Sequence, residues 1–444
     1  MSENADDSAE QCDVVVLGMG VGGEEVAGRL AQAGLSVVGI EARLVGGECP
    51  YWGCIPSKMM IRASDLLAEA HRIPGVAGDA VVTPEWSPVA ARLREATDNW
   101  DDKAAVERFT SKGGKFVRGW GRVTGMGVVE VDGREYRAER GVVIGTGTRP
   151  SIPPIEGLMG TPYWTNREAI EAAALPGSLA VLGGGAIGLE LAQVFARFGV
   201  ETTIIEAGQR LLAMEEPESS ELAARVLAED GIRINTGRGI SRVAYEDGMF
   251  VLDDGFVTAE KLLVATGRKP DFEAIGLERI SVDERMRAGE KLWAVGDITG
   301  HGAFTHVAMY QAGIVVRDIL GQDGPPADYR ALPRVTFTDP EIGAVGLTEA
   351  QARDRFASVQ IGIAPVGETT RGWIHKGDGF IKVVADAERG VLVGATTAGP
   401  MGGEVLSGLA VAIHGEVPIE RLVHMIYAYP TFHRGTQEAL RALA

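Results

Sequence analysis

The chain predicts an α/β fold in which two dinucleotide-binding βαβ units of one design are followed by a separate α+β domain. Three observations predict it. A glycine fingerprint, Gly18-Met-Gly20-Val-Gly-Gly23, follows one apolar segment, a second, Gly183-Gly-Gly185-Ala-Ile-Gly188, follows another, and none appears from Arg334 onward. At 444 residues the chain has room for two or three domains, each with a normal core.

In the first unit, residues 13–17 read as a buried strand and the glycines as a tight turn. An amphipathic helix then runs to Ala33, Gly34 stops it, and residues 36–40 form a second strand that ends at Glu41. The first glycine allows the turn, the second lets the backbone approach a pyrophosphate, and the third lets helix pack on strand. Glu41 is placed to accept ribose hydroxyls.

The second unit repeats the pattern. Residues 178–182 form the strand, the helix runs to Phe198, Gly199 ends it, and residues 202–205 lead to Glu206. First glycine and closing acid, 18 and 41 in one unit and 183 and 206 in the other, are twenty-three positions apart in both. A carboxylate at Glu206 repels a 2′-phosphate and so favours NADH over NADPH. Arg210 is either a phosphate ligand that would admit NADPH or a solvated surface residue, the second being preferred.

Val143-Ile-Gly-Thr-Gly147 and Leu263-Val-Ala-Thr-Gly267 are matching strand-to-turn segments where the chain changes domain, with a linker at residues 150–154. Leu292 to Asp297 reads as a buried strand ending in Gly-Asp, whose carboxylate suits a sugar or ribityl hydroxyl. Farther on, β-rich segments at 379–384 and 391–397 precede an apolar helix at 403–413, the pattern of an α+β domain.

Two of the three cysteines stand in Cys49-Pro-Tyr-Trp-Gly-Cys54, followed at once by Ile-Pro-Ser-Lys58. A bridge between them closes so small a loop that it adds little stability, which suits a working disulfide rather than a staple. Pro56 fits a first helical turn and residues 57–70 have helical composition. Cys54 is therefore expected at a helix N-terminus, where a thiolate is favoured. Cys12, before an apolar strand, reads as inert core.

The net charge of −18 offers no field for nucleic acid or anionic lipid. Residues 1–11 are acidic and polar, no apolar run reaches eighteen residues, and the three cysteines suit a reducing compartment, so a soluble cytoplasmic protein is expected. No metal site is expected.

In this order the motifs resemble the FAD-dependent pyridine nucleotide-disulfide oxidoreductases, the group of glutathione reductase, lipoamide dehydrogenase and mercuric reductase. The match rests on Gly46-Gly47, the cysteine motif, the two Thr-Gly turns, Gly296-Asp297, and Phe337-Thr-Asp-Pro-Glu341 leading to Val345-Gly-Leu-Thr-Glu349. The resemblance implies two Rossmann-like domains and a dimerisation domain. FAD would occupy residues 1–150, completed by 272–330, NAD(P)H residues 151–271, and dimerisation residues 331–444. It implies cofactor contacts at Gly18, Gly20, Gly23, Glu41, Gly47, Thr146, Gly147, Asp297 and Ala308 for the flavin, and at Gly183, Gly185, Gly188, Glu206 and Gly267 for the nicotinamide nucleotide. Cys54 would lie against the flavin, Cys49 would exchange with substrate, and Lys58 would sit near the flavin and pair with Glu190. A homodimer would share its active site across the interface.

The chain departs from that pattern at its end. Where relatives acting on disulfides or dithiols carry His-Pro-Thr followed by Glu, this chain has Tyr429-Pro-Thr-Phe-His433-Arg434. A tyrosine with a pKa of about 10 is a poor base at neutral pH, and loss of a general base costs about a hundred- to ten-thousand-fold in rate. His433 is the alternative base in the same segment. Mercuric reductase also carries a tyrosine there, but residues 435–444 here contain no cysteine. Ala186 stands where many relatives place a flavin-covering tyrosine, and Tyr51 and Trp52 either shape a substrate channel or pack.

The leading expectation is therefore an NAD(P)H-dependent flavoprotein reducing a small disulfide or other small oxidant through a Cys49–Cys54 dithiol. Dithiol oxidation like that of dihydrolipoyl dehydrogenase and reduction of a metal ion or quinone are the enzymatic alternatives. A redox-sensing flavoprotein with little turnover is the alternative of another class.

Overall fold

The computed structural model describes residues 9–443. Most of the acidic leader read above, residues 1–8, lies outside the described residues. The chain divides into two compact units. One holds the described residues through Pro56 together with Ala91–Ser151 and Arg268–Asp328, and the other holds Ser57–Ala90, Ile152–Gly267 and the chain from Tyr329 onward.

The first unit is built on a largely parallel sheet. Its spatial order is Arg287–Gly289, Leu292–Ala294, Arg134–Ile144, Glu10–Leu17, Val37–Glu41 and Lys115–Arg118, with the hairpin Gly121–Gly125 and Val128–Val131 on the long strand. Residues 14–17 are buried, as parallel strands covered on both faces require. Val14 and Val16 lie under the helices Val21–Gln32 and Thr305–Ile319 in one apolar cluster with Val26, Leu30 and Val315. Burying each such side chain contributes about 1.5–3 kcal/mol. The strands Arg149–Pro150 and Arg268–Lys269 pair antiparallel, so the segment read as a linker begins in a two-stranded ribbon.

The second unit repeats the design on a smaller scale. Arg233–Thr236, Glu201–Glu206, Ser178–Leu182 and Lys261–Val264 form a parallel four-stranded sheet, packed by the helix Ala186–Arg197. Its last part carries an antiparallel sheet in the order Pro333–Thr336, Glu341–Gly346, Val391–Gly399, Phe380–Asp386 and Val359–Pro365, covered by the apolar helix Gly402–His414.

Among the described residues no helix is long and apolar enough to cross a membrane.

Candidate active site

Both fingerprints close on themselves in the same way. Gly18 has φ +90°, and a Cβ there would meet the Gly145 carbonyl carbon and the Thr146 nitrogen at 2.6 Å. The equivalent Gly183 has φ +112° and faces Ala265 and Thr266 of the matching turn. A Cβ at either third glycine, Gly23 or Gly188, would collide with the carbonyl of the first. The middle glycines differ, since a Cβ at Gly20 would meet only the Gly145 carbonyl at 3.7 Å and one at Gly185 nothing within 4 Å. The protein's own packing therefore accounts for the first and third glycines but not for the middle ones, where a bound group is the remaining reason to omit a side chain.

The closing acids are held alike. Glu41 accepts the Met19 N–H at 2.9 Å and the Arg43 N–H at 2.8 Å, and Glu206 accepts the Gly184 N–H at 2.6 Å and the Gly208 N–H at 2.5 Å. Each carboxylate oxygen keeps a further lone pair for a ribose hydroxyl. Burial pushes Glu41 above the ordinary carboxylate range, an effect its amide donors oppose.

Gly47 has φ +69°, and a Cβ there would come within 2.9 Å of the Gly20 Cα, which holds the cysteine segment against the first cradle. Asp297 opens a short turn after the strand Leu292–Ala294 and accepts the Thr148 hydroxyl at 2.9 Å, whose oxygen accepts from Arg268 at 3.0 Å. Burial raises its pKa. Ala308 is buried in the helix Thr305–Ile319, where a Cβ on Gly22 would meet it at 3.2 Å. Thr146 and Gly147 follow the end of Arg134–Ile144, and Gly267 follows Lys261–Val264 with φ +105°.

Cys49 lies in a short helix, Glu48–Tyr51, and Cys54 is the first residue of the eighteen-residue helix Cys54–His71. The positive end of the helix dipole at that terminus favours an anion on Cys54. Both residues are thiols in this structure, Cys49 half-buried and Cys54 exposed. The hydrogen bond with Cys54, then burial, pushes the Cys49 thiol well above its usual range. Cys54 Sγ also lies 3.3 Å from Thr305 Oγ1. Cys12 is buried with its pKa pushed up to about 11, as inert core should be.

On the helix that follows, Lys58 Nζ lies 2.6 Å from Glu190 Oε2, and the other Glu190 oxygen accepts the Phe337 N–H at 2.8 Å. The ammonium lies 4.6 Å from the centroid of the Phe337 ring. Tyr429 is 65% exposed, its hydroxyl 3.3 Å from Thr370 Oγ1. His433 packs on Tyr427 and against Gly408, and burial lowers its pKa.

Comparison with known proteins decides the family. Residues 12–312 match the pyridine nucleotide-disulphide oxidoreductase family, and residues 332–440 match the dimerisation domain of the pyridine nucleotide-disulphide oxidoreductases. The chain belongs to this family.

Among its relatives, dihydrolipoyl dehydrogenase of Thermus scotoductus is 32% identical over 97% of each chain. Mercuric reductase of Staphylococcus aureus is 29% identical over 96% of this chain and 81% of its own. The HOCl-induced flavoprotein disulfide reductase RclA of Escherichia coli, in its Cu(II) complex, superposes with a TM-score of 0.85 at 25% identity, covering 97% of this chain and 99% of its own. The protein is accordingly a flavin-dependent NAD(P)H oxidoreductase and carries the family's dimerisation domain. The residues present fit both cofactors, because each cradle leaves its middle glycine open and each closing carboxylate keeps acceptor capacity.

One sequence reading needs correction, and one open alternative is resolved for Tyr51. Arg210 is half-buried and engaged, not simply a solvated surface residue. Its guanidinium donates to the Leu212 carbonyl at 3.2 Å, the Ser220 hydroxyl at 2.7 Å and the Ala213 carbonyl at 2.8 Å, and so is committed to its own loop. Of the two aromatics between the cysteines, Tyr51 is buried, its pKa pushed up to about 12 chiefly by burial, and its carbonyl accepts the Trp100 indole N–H at 3.2 Å. It packs rather than lines a channel.

Sequence reasoning missed Thr305, the short helix that carries Cys49, and a buried cation, Arg197. That side chain reaches Asp65 at 2.9 Å, Asp339 at 2.8 Å and Asp230 at 3.0 Å. An arginine closing a largely apolar helix, whose other polar residues are Glu190 and Gln193, was the only signal for it.

Proposed function

We propose that this protein is an NADH-dependent reductase of small disulfides or other small oxidants, working through Cys49 and Cys54. The observation that carries this reading is the hydrogen-bonded pair of thiols, one of them opening a long helix, in a segment whose Gly47 packs on Gly20 of the first cradle.

In this reading residues 1–150 and 272–330 hold FAD through Gly18, Gly20, Gly23, Glu41, Gly47, Thr146, Gly147, Asp297 and Ala308. Residues 151–271 hold the nicotinamide nucleotide through Gly183, Gly185, Gly188, Glu206 and Gly267. Glu206 and the prior commitment of Arg210 support NADH. When bound, the flavin passes two electrons from the reduced nicotinamide to a disulfide. Cys49 thiolate then attacks the oxidised substrate and expels one thiol. Cys54 attacks Cys49 Sγ in the mixed disulfide, restoring the Cys49–Cys54 bridge and releasing the second thiol. Lys58, oriented by Glu190, works beside the flavin. Residues 331–444 pair two chains, and Tyr429 completes the active site of the partner in place of an imidazole, with His433 held aside by its packing. The lack of a strong base favours substrates with good leaving groups.

A second reading is reduction of a soft metal ion held by the same sulfurs, favoured by the mercuric reductases among the relatives and by the Cu(II) complex of RclA. Dithiol oxidation, as in the dihydrolipoyl dehydrogenases, is opposed by Tyr429.

Steady-state NADH oxidation with an aromatic disulfide, lipoamide, Cu(II) and a quinone tests the proposal. Turnover of the aromatic disulfide should exceed that of lipoamide at least about tenfold and vanish in Cys49→Ser. Comparable lipoamide turnover, or quinone reduction alone and untouched by Cys49→Ser, would overturn it.

A further inference from the structure

Tyr429 and Phe432 stand three residues apart near the C-terminus, and each carries an arginine on its ring. The Arg434 guanidinium carbon lies 5.4 Å from the centroid of Tyr429, and that of Arg371, from the short helix Thr370–His375, lies 5.7 Å from the centroid of Phe432. The two segments meet where the Tyr429 hydroxyl lies 3.3 Å from Thr370 Oγ1 and where His375 packs edge-on against Phe432 at 5.5 Å. Arg434 is half-buried, and Arg371 and Tyr429 are exposed.

This cluster holds positive charge with nothing of its own to neutralise it. The chain has 61 acidic and 43 basic residues, yet residues 369–377 and 421–437 contain no Asp or Glu. Of the acids that flank them, Asp378 is paired with Arg225, and among the described residues neither guanidinium takes part in an ion pair or a side-chain hydrogen bond. An exposed arginine alone in water marks nothing. These two are within the distance at which a cation gains from an aromatic ring, and that contact restrains a long side chain before anything binds to it. The N–H donors of both forks stay unspent. A planar oxyanion is what such a fork matches, and the rings of Tyr429 and Phe432 beside it suit an aromatic body on the same molecule.

We propose, building on the reading in which Tyr429 completes the partner's active site, that Arg434 is a specificity-determining residue there and selects oxidised substrates that bear a carboxylate, with Arg371 adding to the same positive field. The guanidinium donates to the carboxylate while the disulfide, elsewhere on the substrate, meets the dithiol. The net charge of −18 repels an anion at long range, so the preference is local and made at contact. The contact is remote from the breaking bond and equal before and during reaction, so it acts on KM rather than on kcat.

The test compares bis(carboxyphenyl) disulfide with the uncharged dipyridyl disulfide in NADH-driven turnover by the parent holoenzyme, Arg434→Gln, Arg434→Lys and Arg371→Gln. Arg434→Gln should raise KM for the dicarboxylate at least about tenfold with little change in kcat, and should leave both constants for the dipyridyl compound within about twofold, which also shows that the variant folds. Arg434→Lys keeps the charge without the fork and should lose about threefold, as should Arg371→Gln. A second readout needs no turnover: calorimetric titration of the non-reducible bis(carboxyphenyl) sulfide into holoenzyme without NADH should show affinity about tenfold lower in Arg434→Gln. Equal shifts for the two disulfides in Arg434→Gln, or dicarboxylate KM and sulfide affinity both unchanged, would overturn the proposal. Disulfide turnover that persists in Cys49→Ser would count against the dithiol reading instead, and the sulfide titration would still decide the role of Arg434.

Discussion

Lys58 and Glu190 form an ion pair of unequal burial: the two side chains meet at 2.6 Å, yet Lys58 is 34% exposed and Glu190 only 7%. The carboxylate is additionally fixed by the Phe337 N–H. The two partners are therefore not equivalent to remove.

Lys58→Met strands an anion in the interior, and breaking a buried pair in that way costs about 3–5 kcal/mol, reduced here by the solvent that reaches the lysine. Glu190→Gln keeps an acceptor for Phe337 and leaves a lysine that can turn to water. Denaturant unfolding should show Lys58→Met the less stable by about 1–2 kcal/mol. Equal losses would mean that the pair is effectively solvated.

The glycines separate folding from binding. Gly183→Ala meets positive φ and the Ala265 carbonyl, and should lose more than about 2 kcal/mol of stability. Gly185→Ala has ordinary dihedrals and nothing within 4 Å of its new methyl, so its stability should hold within about 0.5 kcal/mol. Its KM for NADH should nevertheless rise about tenfold as the methyl enters the cradle. An unaltered KM would remove the pyrophosphate from that position.

Glu206 sets the choice of nucleotide in this account, since Arg210 is spent on the carbonyls of Leu212 and Ala213 and on Ser220. Glu206→Gln removes the charge that repels a 2′-phosphate and should shift the ratio of kcat/KM for NADPH over NADH upward about tenfold. Parallel changes for both nucleotides would contradict it.

Asp65, bound to Arg197 at 2.9 Å, has its pKa pushed up to about 6, first by burial and then by the Asp339 charge. A carboxyl whose folded pKa lies above its unfolded value binds its proton more tightly in the native state. Its contribution to stability is thus complete below pH about 4 and is lost as pH rises through about 6. Relative to Asp65→Asn, the parent should lose stability between pH 4 and 6 in denaturant titrations at each pH. A difference that does not vary across this window would show that Asp65 ionises normally.

The two nucleotide-binding units were legible because each is written locally. The turn, helix and closing acid lie within twenty-four consecutive residues, 18–41 and 183–206, and strand ends at Glu41 and Glu206 fall where the pattern places them. The cysteine helix was legible for the same reason, with Pro56 in its first turn. What could not be read joins residues far apart in sequence, with no period to announce them. Thr305 is 251 positions from Cys54, and Arg197 gathers carboxylates from three separate segments. Lys382 is a further case. It sits in a wholly buried strand, Phe380–Asp386, most of which was read from the sequence as β-rich, and only the fold brings Glu216, Glu218 and Glu349 within 3.1 Å of its ammonium.

Counting thiols in denaturant, before and after anaerobic addition of NADH to the air-oxidised holoenzyme, tests the dithiol relay most directly. The chain has three cysteines, Cys12, Cys49 and Cys54. One thiol per chain before reduction and three after it, with the two new ones mapped to Cys49 and Cys54, is the predicted result. A count that NADH leaves unchanged would contradict the account.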